Sequence, residues 1–281
     1  MKTRASKKGL CPHSRPLQGF SLVELLIGIA LSSLILFGLY GVLSSQERIY
    51  SMQDDLSEMQ QNLRLAMERI TRDLTMAGFG KPSRLGTPAW PFLNGIAGLD
   101  FSVRVTGSNA LDIVGCLDPP EGKSASGLTI GSTSITLGPG EGANFNTTTK
   151  GDISVGGKEN AKIRSVVGDT LAIDTNPSLA GNQGLVYGYM SGVPIYTVKY
   201  VTYSVDRSNP NEPVLRVDEH RGAGRQQVAQ YVDIAGATLT GNLLNVILTG
   251  RSKRPDRGTN QYARVQIENG VFLRNLANPP K

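Results

Sequence analysis

The chain has 281 residues and 39% hydrophobic content, enough for one or two folded domains. Its formal charge of +6 sits at the start: residues 1–19 hold Lys2, Arg4, Lys7, Lys8 and Arg15 and no acid, while the remainder carries 24 basic against 23 acidic residues. This distribution argues against a nucleic-acid surface as the source of the charge. The two cysteines, Cys11 and Cys116, exclude a disulfide framework in any chain that loses its first residues.

Phe20 to Leu43 is a run of 24 residues whose only charge is Glu24. At about 1.5 Å per residue it is long enough to cross a hydrocarbon core of about 30 Å. Gly28, Ser32, Ser33, Gly38 and Gly41 interrupt the Leu, Ile and Val content, and small residues let membrane helices approach closely. A lone carboxylate in such a run is disfavoured by about 2.5–3.5 kcal/mol, so Glu24 calls for a partner.

Val42-Leu43-Ser44 would pass loosely as a conventional signal cleavage site, giving a secreted β-domain enzyme or binding protein that starts near Ser45. The helical pattern runs on regardless. Leu56, Met59, Leu63, Met67, Ile70, Leu74 and Ala77 recur at spacings of three and four, one apolar stripe of a helix. Arg64, Glu68 and Arg72, and Arg69 with Asp73, offer opposite charges four residues apart. Gly78, Gly80 and Pro82 stop the pattern. A single helix from Phe20 to about Ala77, roughly 85 Å long, is expected, apolar all round at first and amphipathic later.

Beyond Pro82 the pattern alternates. Strands are expected over 99–105, 110–116, 128–137, 163–167, 171–174, 185–190, 195–205, 214–217, 243–248, 263–268 and 271–276. Asn269-Gly270 reads as a two-residue hairpin turn. Residues 118–162, rich in Gly, Ser and Thr, read as long loops or an edge subdomain. The expected class is α+β, a β-rich antiparallel head with the amphipathic half of the helix laid on one sheet.

No catalytic residue, cofactor or metal ligand is assigned. Gly138-Pro139-Gly140-Glu141-Gly142 lacks the Lys-Ser/Thr of a phosphate loop and reads as a mobile turn. His220, with Asp218, Glu219 and Ser204, sketches a triad only by adjacency and reads as a solvated strand end. Asp206 to Glu212 offers oxygen ligands without the spacing of a calcium loop and reads as a hairpin turn. Arg251, Lys253, Arg254 and Arg257 form a basic cluster read as a solvated loop. No aromatic lies within it, which weakens single-stranded nucleic-acid binding. Cys116 reads as a small buried hydrophobe.

The basic leader ending in Gly19, followed by Phe20-Ser21-Leu22-Val23-Glu24-Leu25-Leu26, resembles the class III signal of type IV prepilins and type II secretion pseudopilins. The resemblance covers roughly residues 8–43. It implies that a membrane prepilin peptidase cuts between Gly19 and Phe20 and N-methylates Phe20. It also implies that Glu24 faces the new amine, in its own chain or a neighbour's, and sets subunit register. The segment Arg72-Asp73-Leu74-Thr75-Met76-Ala77-Gly78 resembles the helix end of PilW-type minor pilins. Tyr200 to Val205, Val214 to Val217, Leu244 to Arg251 and Val271 to Asn275 are similar to that family's later strands. The J-type minor pseudopilin is the near alternative.

The resemblance implies a leader at 1–19, a transmembrane half-helix at 20–43, an amphipathic half at 44–78 and a head at 79–281. It implies the bacterial inner membrane first, with the head in the periplasm or outside, and then a pilus or pseudopilus. The implied partners are the prepilin peptidase, other minor and major pilins, the inner-membrane assembly platform and the bilayer. Nucleic acid is not among them.

Overall fold

The structure is a computed structural model that describes residues 20–81, 101–107, 109–256 and 259–277. Helix α1 spans Leu22–Met76. The chain divides into two compact units, Met1–Gln53 and Asp54–Lys281. In the first, residues 20–50 are exposed throughout. In the second, helix and strands share a core. The α+β class expected from the sequence holds.

Fourteen strands are described: β1 (Val103–Thr106), β2 (Ala110–Gly115), β3 (Gly122–Lys123), β4 (Ser134–Thr136), β5 (Asp152–Val155), β6 (Glu159–Val167), β7 (Thr170–Asp174), β8 (Pro194–Thr197), β9 (Lys199–Asp206), β10 (Val214–Asp218), β11 (Gln226–Gln230), β12 (Val232–Thr240), β13 (Leu243–Arg251) and β14 (Arg264–Phe272). A short helix α2, Arg274–Ala277, follows. The strands form three antiparallel sheets, in the orders β1-β2-β9-β10-β11, β12-β13-β14 and β3-β8-β5-β6-β7-β4.

The apolar stripe of α1 is the spine of the first core. Met59, Leu63, Ala66, Met67, Ile70, Leu74 and Ala77 are buried with Leu111, Ile113, Tyr203, Leu215, Leu244 and Leu248 of the first two sheets. Six of the seven residues expected on that stripe are buried, and Leu56 packs against them half-buried. Spacings of three and four place them on one face, and the sheets supply the matching apolar surface. The helix stops where Gly78, at φ 78°, donates its amide to the Val114 carbonyl at 2.9 Å. Asn275 donates to the Ala77 carbonyl at 3.3 Å, so orphan carbonyls at the helix end find partners.

The third sheet is an insertion. Strands β2 and β9 pair directly, with Gly115 opposite Lys199, so residues 116–198 leave and return at one point. Within them Ile135, Leu137, Ile153, Ile163, Leu171, Ile173 and Ile195 form a second core. A small cluster of Val114, Cys116, Val198 and Tyr200, flanked by Phe79, Phe101 and Tyr196, joins the insertion to the first sheet.

Several expectations are corrected. Asn269-Gly270 is not a turn: both residues lie inside β14, opposite Val246 and Asn245, and neither has the positive φ that such a turn requires. The Asn269 amide instead donates to Thr71 Oγ1 on α1 at 2.9 Å, and a Cβ on Gly270 would meet Asn245 Oδ1 at 2.8 Å. The strands expected at 263–268 and 271–276 are therefore one strand and a helical turn. Of the two readings of residues 118–162, the subdomain holds and the long loops do not, since they carry β3, β4, β5 and the start of β6. The strand expected at 195–205 breaks at Val198, where the chain changes sheets. Residues 185–190 and 128–133 contribute only a bridge between Leu128 and Tyr189. Strands β11 and β12 were not expected from pattern. β11 (QQVAQ) is largely polar, and a bulge between Ile234 and Gly236 breaks the alternation of β12. Part of the strand expected at 99–105 lies outside the described residues.

Candidate assembly and processing site

Gly19 and the basic leader lie outside the described residues. Phe20 stands ahead of the helix and is 86% exposed. The next four residues explain why the helix begins where it does. Ser21 Oγ accepts from the Val23 amide at 3.4 Å, and Glu24 Oε2 accepts from the Ser21 amide at 3.3 Å. This is a capping box, Ser at the cap and Glu three residues on, which satisfies orphan donors reciprocally. The Ser21 carbonyl takes the first helical bond, from Leu25, at 3.1 Å. Glu24 also lies in the first turn, where the positive end of the helix dipole favours a carboxylate.

Glu24 therefore has a partner within its own turn, which reading the sequence missed although Ser-x-x-Glu is visible in it. That amide takes one of the several hydrogen bonds a carboxylate accepts, leaving capacity for a cation. The residue after a cut at Gly19 is one position from the capping amide.

The rest of the segment suits contact with lipid and with other helices. It belongs to a helix long and apolar enough to cross a membrane. The Ser33 hydroxyl donates to the Ala30 carbonyl at 2.8 Å, so it carries no unsatisfied donor into an apolar setting. A Cβ on Gly28, Gly38 or Gly41 would meet nothing within 4 Å. Among the described residues these glycines answer no packing demand. They leave shallow places where another helix can approach.

Residues 15–40 match the model of the prokaryotic N-terminal methylation motif. The chain begins as a prepilin does. The match takes in Gly19, Phe20, Glu24 and the first turns of α1, and supports a precursor of the type IV pilin or pseudopilin kind. No curated protein and no solved structure matches the chain. The prepilin motif implies processing by a prepilin peptidase, assembly with other pilins and single-pass anchoring by the apolar helix.

The head of this prepilin-like chain uses its polar side chains to hold itself together. Gly140 and Gly142 do aim their amides at an anion, but it is the chain's own Asp169, at 3.0 Å each. Those two bonds hold the Asp169 carboxyl below its usual range. The expected mobile turn is thus pinned to the β6–β7 connection. His220 is half-buried rather than solvated. Its ring stacks on Tyr200 at 4.2 Å, and Nε2 lies 2.8 Å from Thr202 Oγ1. Thr202 donates its hydroxyl proton to Asp112 at 2.7 Å, so the hydroxyl sits between His and Asp, not at the nucleophile's end of a triad.

The turn after β9 is the expected hairpin. Asp206 accepts from the Ser208 hydroxyl at 2.6 Å and its amide at 3.0 Å, and from Arg216 at 2.9 Å. These bonds bring its pKa down to about 2. Among the described residues no group of three or more His, Cys, Asp or Glu is placed to hold a metal ion. In the basic cluster Arg254 binds Asp55 on α1 through 2.9 and 3.2 Å contacts, and Arg251 lies over the Tyr262 ring at 3.8 Å. Lys253 is exposed, and Arg257 lies outside the described residues. Cys116 is fully buried, and burial pushes its thiol pKa far up, as suits a small apolar residue.

One polar contact ties helix to sheet deep in the core. The Tyr203 hydroxyl donates to Asp73 Oδ2 at 2.6 Å, and both residues are buried. Burial, then the Asp73 carboxylate, pushes the Tyr203 pKa far up, so the phenol keeps its proton and remains a donor. The i, i+4 partner expected for Asp73, Arg69, instead approaches Glu219 at 3.8 Å.

Proposed function

We propose that the chain is a non-enzymatic minor pilin of the PilW kind, cut between Gly19 and Phe20, methylated on Phe20, and used in initiating and assembling a type IV pilus. The observation that carries the reading is the methylation motif at residues 15–40 running directly into an apolar membrane-length helix. The subunit waits in the inner membrane with its head on the far side from the cytoplasm, then joins other pilins through helix contacts at the assembly platform.

In this reading Glu24 has two successive partners. In the precursor its carboxylate accepts the Ser21 amide. Cleavage creates a cation at Phe20, and the same carboxylate pairs with such an amine, most usefully a neighbour's. Breaking a pair of this kind on one side costs about 3–5 kcal/mol in a low dielectric, so register is enforced by what misplacement would leave unpaired. A J-type pseudopilin would use the same assembly chemistry, and the neighbouring genes separate the two.

N-terminal sequencing of the mature protein tests the processing step: N-methyl-Phe20 is expected, and a start near Ser45 overturns the reading. The variant Glu24→Ala should be cleaved yet fail to enter filaments. Normal incorporation into sheared pili would remove the register role.

A further inference from the structure

Helix α1 starts at Leu22, and both Phe20 and Ser21 stand ahead of it. In an α-helix each amide bonds the carbonyl four residues back. One more turn at this end would therefore tie the Val23 amide to the carbonyl of Gly19, which is the carbonyl of the proposed scissile bond. It would tie the Ser21 amide to the carbonyl of Leu17. Both amides are already held by side chains. Ser21 Oγ accepts from Val23 at 3.4 Å, and Glu24 Oε2 accepts from Ser21 at 3.3 Å. The helix opens with Leu25 donating to the Ser21 carbonyl.

The competing state is a real one. An apolar setting offers an unbonded amide no water, so it drives backbone groups into helical bonds. Proline suits a first helical turn, so Pro16 does not bar extension from that side, and only Gly19 resists it. A short side chain that bonds the local backbone competes with the helix for the same donor. Ser21 does so at Val23, the one amide that would engage the Gly19 carbonyl.

That donor matters for the cut. Hydrolysis adds water across the Gly19–Phe20 bond: the Gly19 carbonyl carbon gains the oxygen and ends as a carboxylate, and the Phe20 nitrogen takes a proton and leaves as the amine. A carbonyl inside a helix has its oxygen bonded and its carbon shielded by the surrounding turn, so it must first be released.

We infer that Ser21 is a positioning residue for the processing cut: its hydroxyl holds the Val23 amide and so keeps the Gly19 carbonyl out of the helix and open to the peptidase. This inference rests on the prepilin reading. Glu24 has a separate part. Its carboxylate holds the Ser21 amide, so its loss leaves the Ser21–Val23 bond in place, and cleavage of Glu24→Ala survives.

The test is a pulse–chase of the full-length precursor in the cells that make it, following conversion to the mature form. Two matched pairs isolate the hydroxyl: wild type against Ser21→Ala, and Ser21→Thr against Ser21→Val, which share a shape. Ser21→Thr and Ser21→Asn keep an acceptor and should mature at a near-wild-type rate. Ser21→Ala and Ser21→Val should mature about fivefold more slowly, the ratio equivalent to a lost cap of about 1 kcal/mol. A second readout follows the backbone itself. Glycine labelled with 13C at the carbonyl and phenylalanine labelled with 15N mark two pairs in the chain, Gly19–Phe20 and Gly78–Phe79. In the detergent-solubilised precursor, Ser21→Ala should move the Gly19 carbonyl signal toward its helical value and leave that of Gly78 in place.

Three results would each overturn the inference: Ser21→Val maturing as fast as Ser21→Thr, Ser21→Ala maturing at the wild-type rate, or a Gly19 signal that does not move. N-terminal sequencing of the same material keeps the two failures apart. A mature start near Ser45 removes the prepilin reading, whereas a start at Phe20 with equal rates removes only the role of Ser21.

Discussion

The contact between Tyr203 and Asp73 shows how much depends on single atoms in this head. Both partners are buried, and the phenol supplies the short 2.6 Å bond to the carboxylate, while Arg72 approaches only to 3.4 Å from the surface. Tyr203→Phe leaves the cavity filled but removes the donor. A buried acceptor left short of a charged hydrogen bond costs about 1.5–3 kcal/mol. Chemical denaturation of the detergent-solubilised chain should show that loss, and an unchanged midpoint would mean that Asp73 is satisfied elsewhere. In the sequence Asp73 is visible only as the opposite charge four residues after Arg69. Its partner is 130 residues away, which no local spacing announces. The capping box of Ser21 and Glu24 is the opposite case. It is written in four adjacent residues, Ser21 to Glu24.

At the scale of elements, α1 was legible and the sheet it meets was not fully so. A stripe with period near 3.6 needs no partner to be visible. How closely the partner comes is decided by Gly250 on β13, where an added Cβ would fall 2.8 Å from both Leu63 Cδ1 and Met59 Cγ. Gly250→Ala should therefore overpack the helix–sheet interface. The expected cost is about 1–3 kcal/mol. A parallel substitution at Gly236 on β12, where φ is not positive and the nearest atom to an added Cβ is Ile247 Cδ1 at 3.8 Å, is the control. Thermal unfolding of the Gly250 variant checks the claim, and wild-type stability would show that Met59 and Leu63 repack freely. Strands were harder to read than the helix. A bulge in β12, polar residues in β11 and an Asn-Gly pair inside β14 each break the local signal for a reason that lies in a neighbouring strand.

The described head is a helix-backed pair of sheets with a third sheet inserted between two strands that already pair. Because Gly115 sits opposite Lys199, replacing residues 117–197 by a two-residue turn leaves the β2–β9 ladder its register. The first core keeps all its members except Leu117. Removal exposes Phe79, Phe101 and Tyr200, which pack at the junction, so solubility should fall. The shortened chain is nonetheless expected to keep slow amide exchange in β9, β10 and β13. Rapid exchange across all three would show that the insertion is needed for the fold.

Local chemistry alone determined the start of this protein. The basic leader, the Gly19-Phe20 junction, Ser21, Glu24 and the apolar run act through charge, capping and transfer to lipid, none of which depends on distant residues. The amphipathic stripe and its glycine stop belong with them, since periodicity is a property of neighbours along the chain. Tertiary structure alone decided that residues 116–198 form a separate sheet, that Asp73 faces Tyr203, that Asp169 fills the glycine turn, and that β14 is an edge of its sheet among the described strands. Each of these depends on which strand lies beside which, and register is set by burial across the sheet rather than by the strand's own residues.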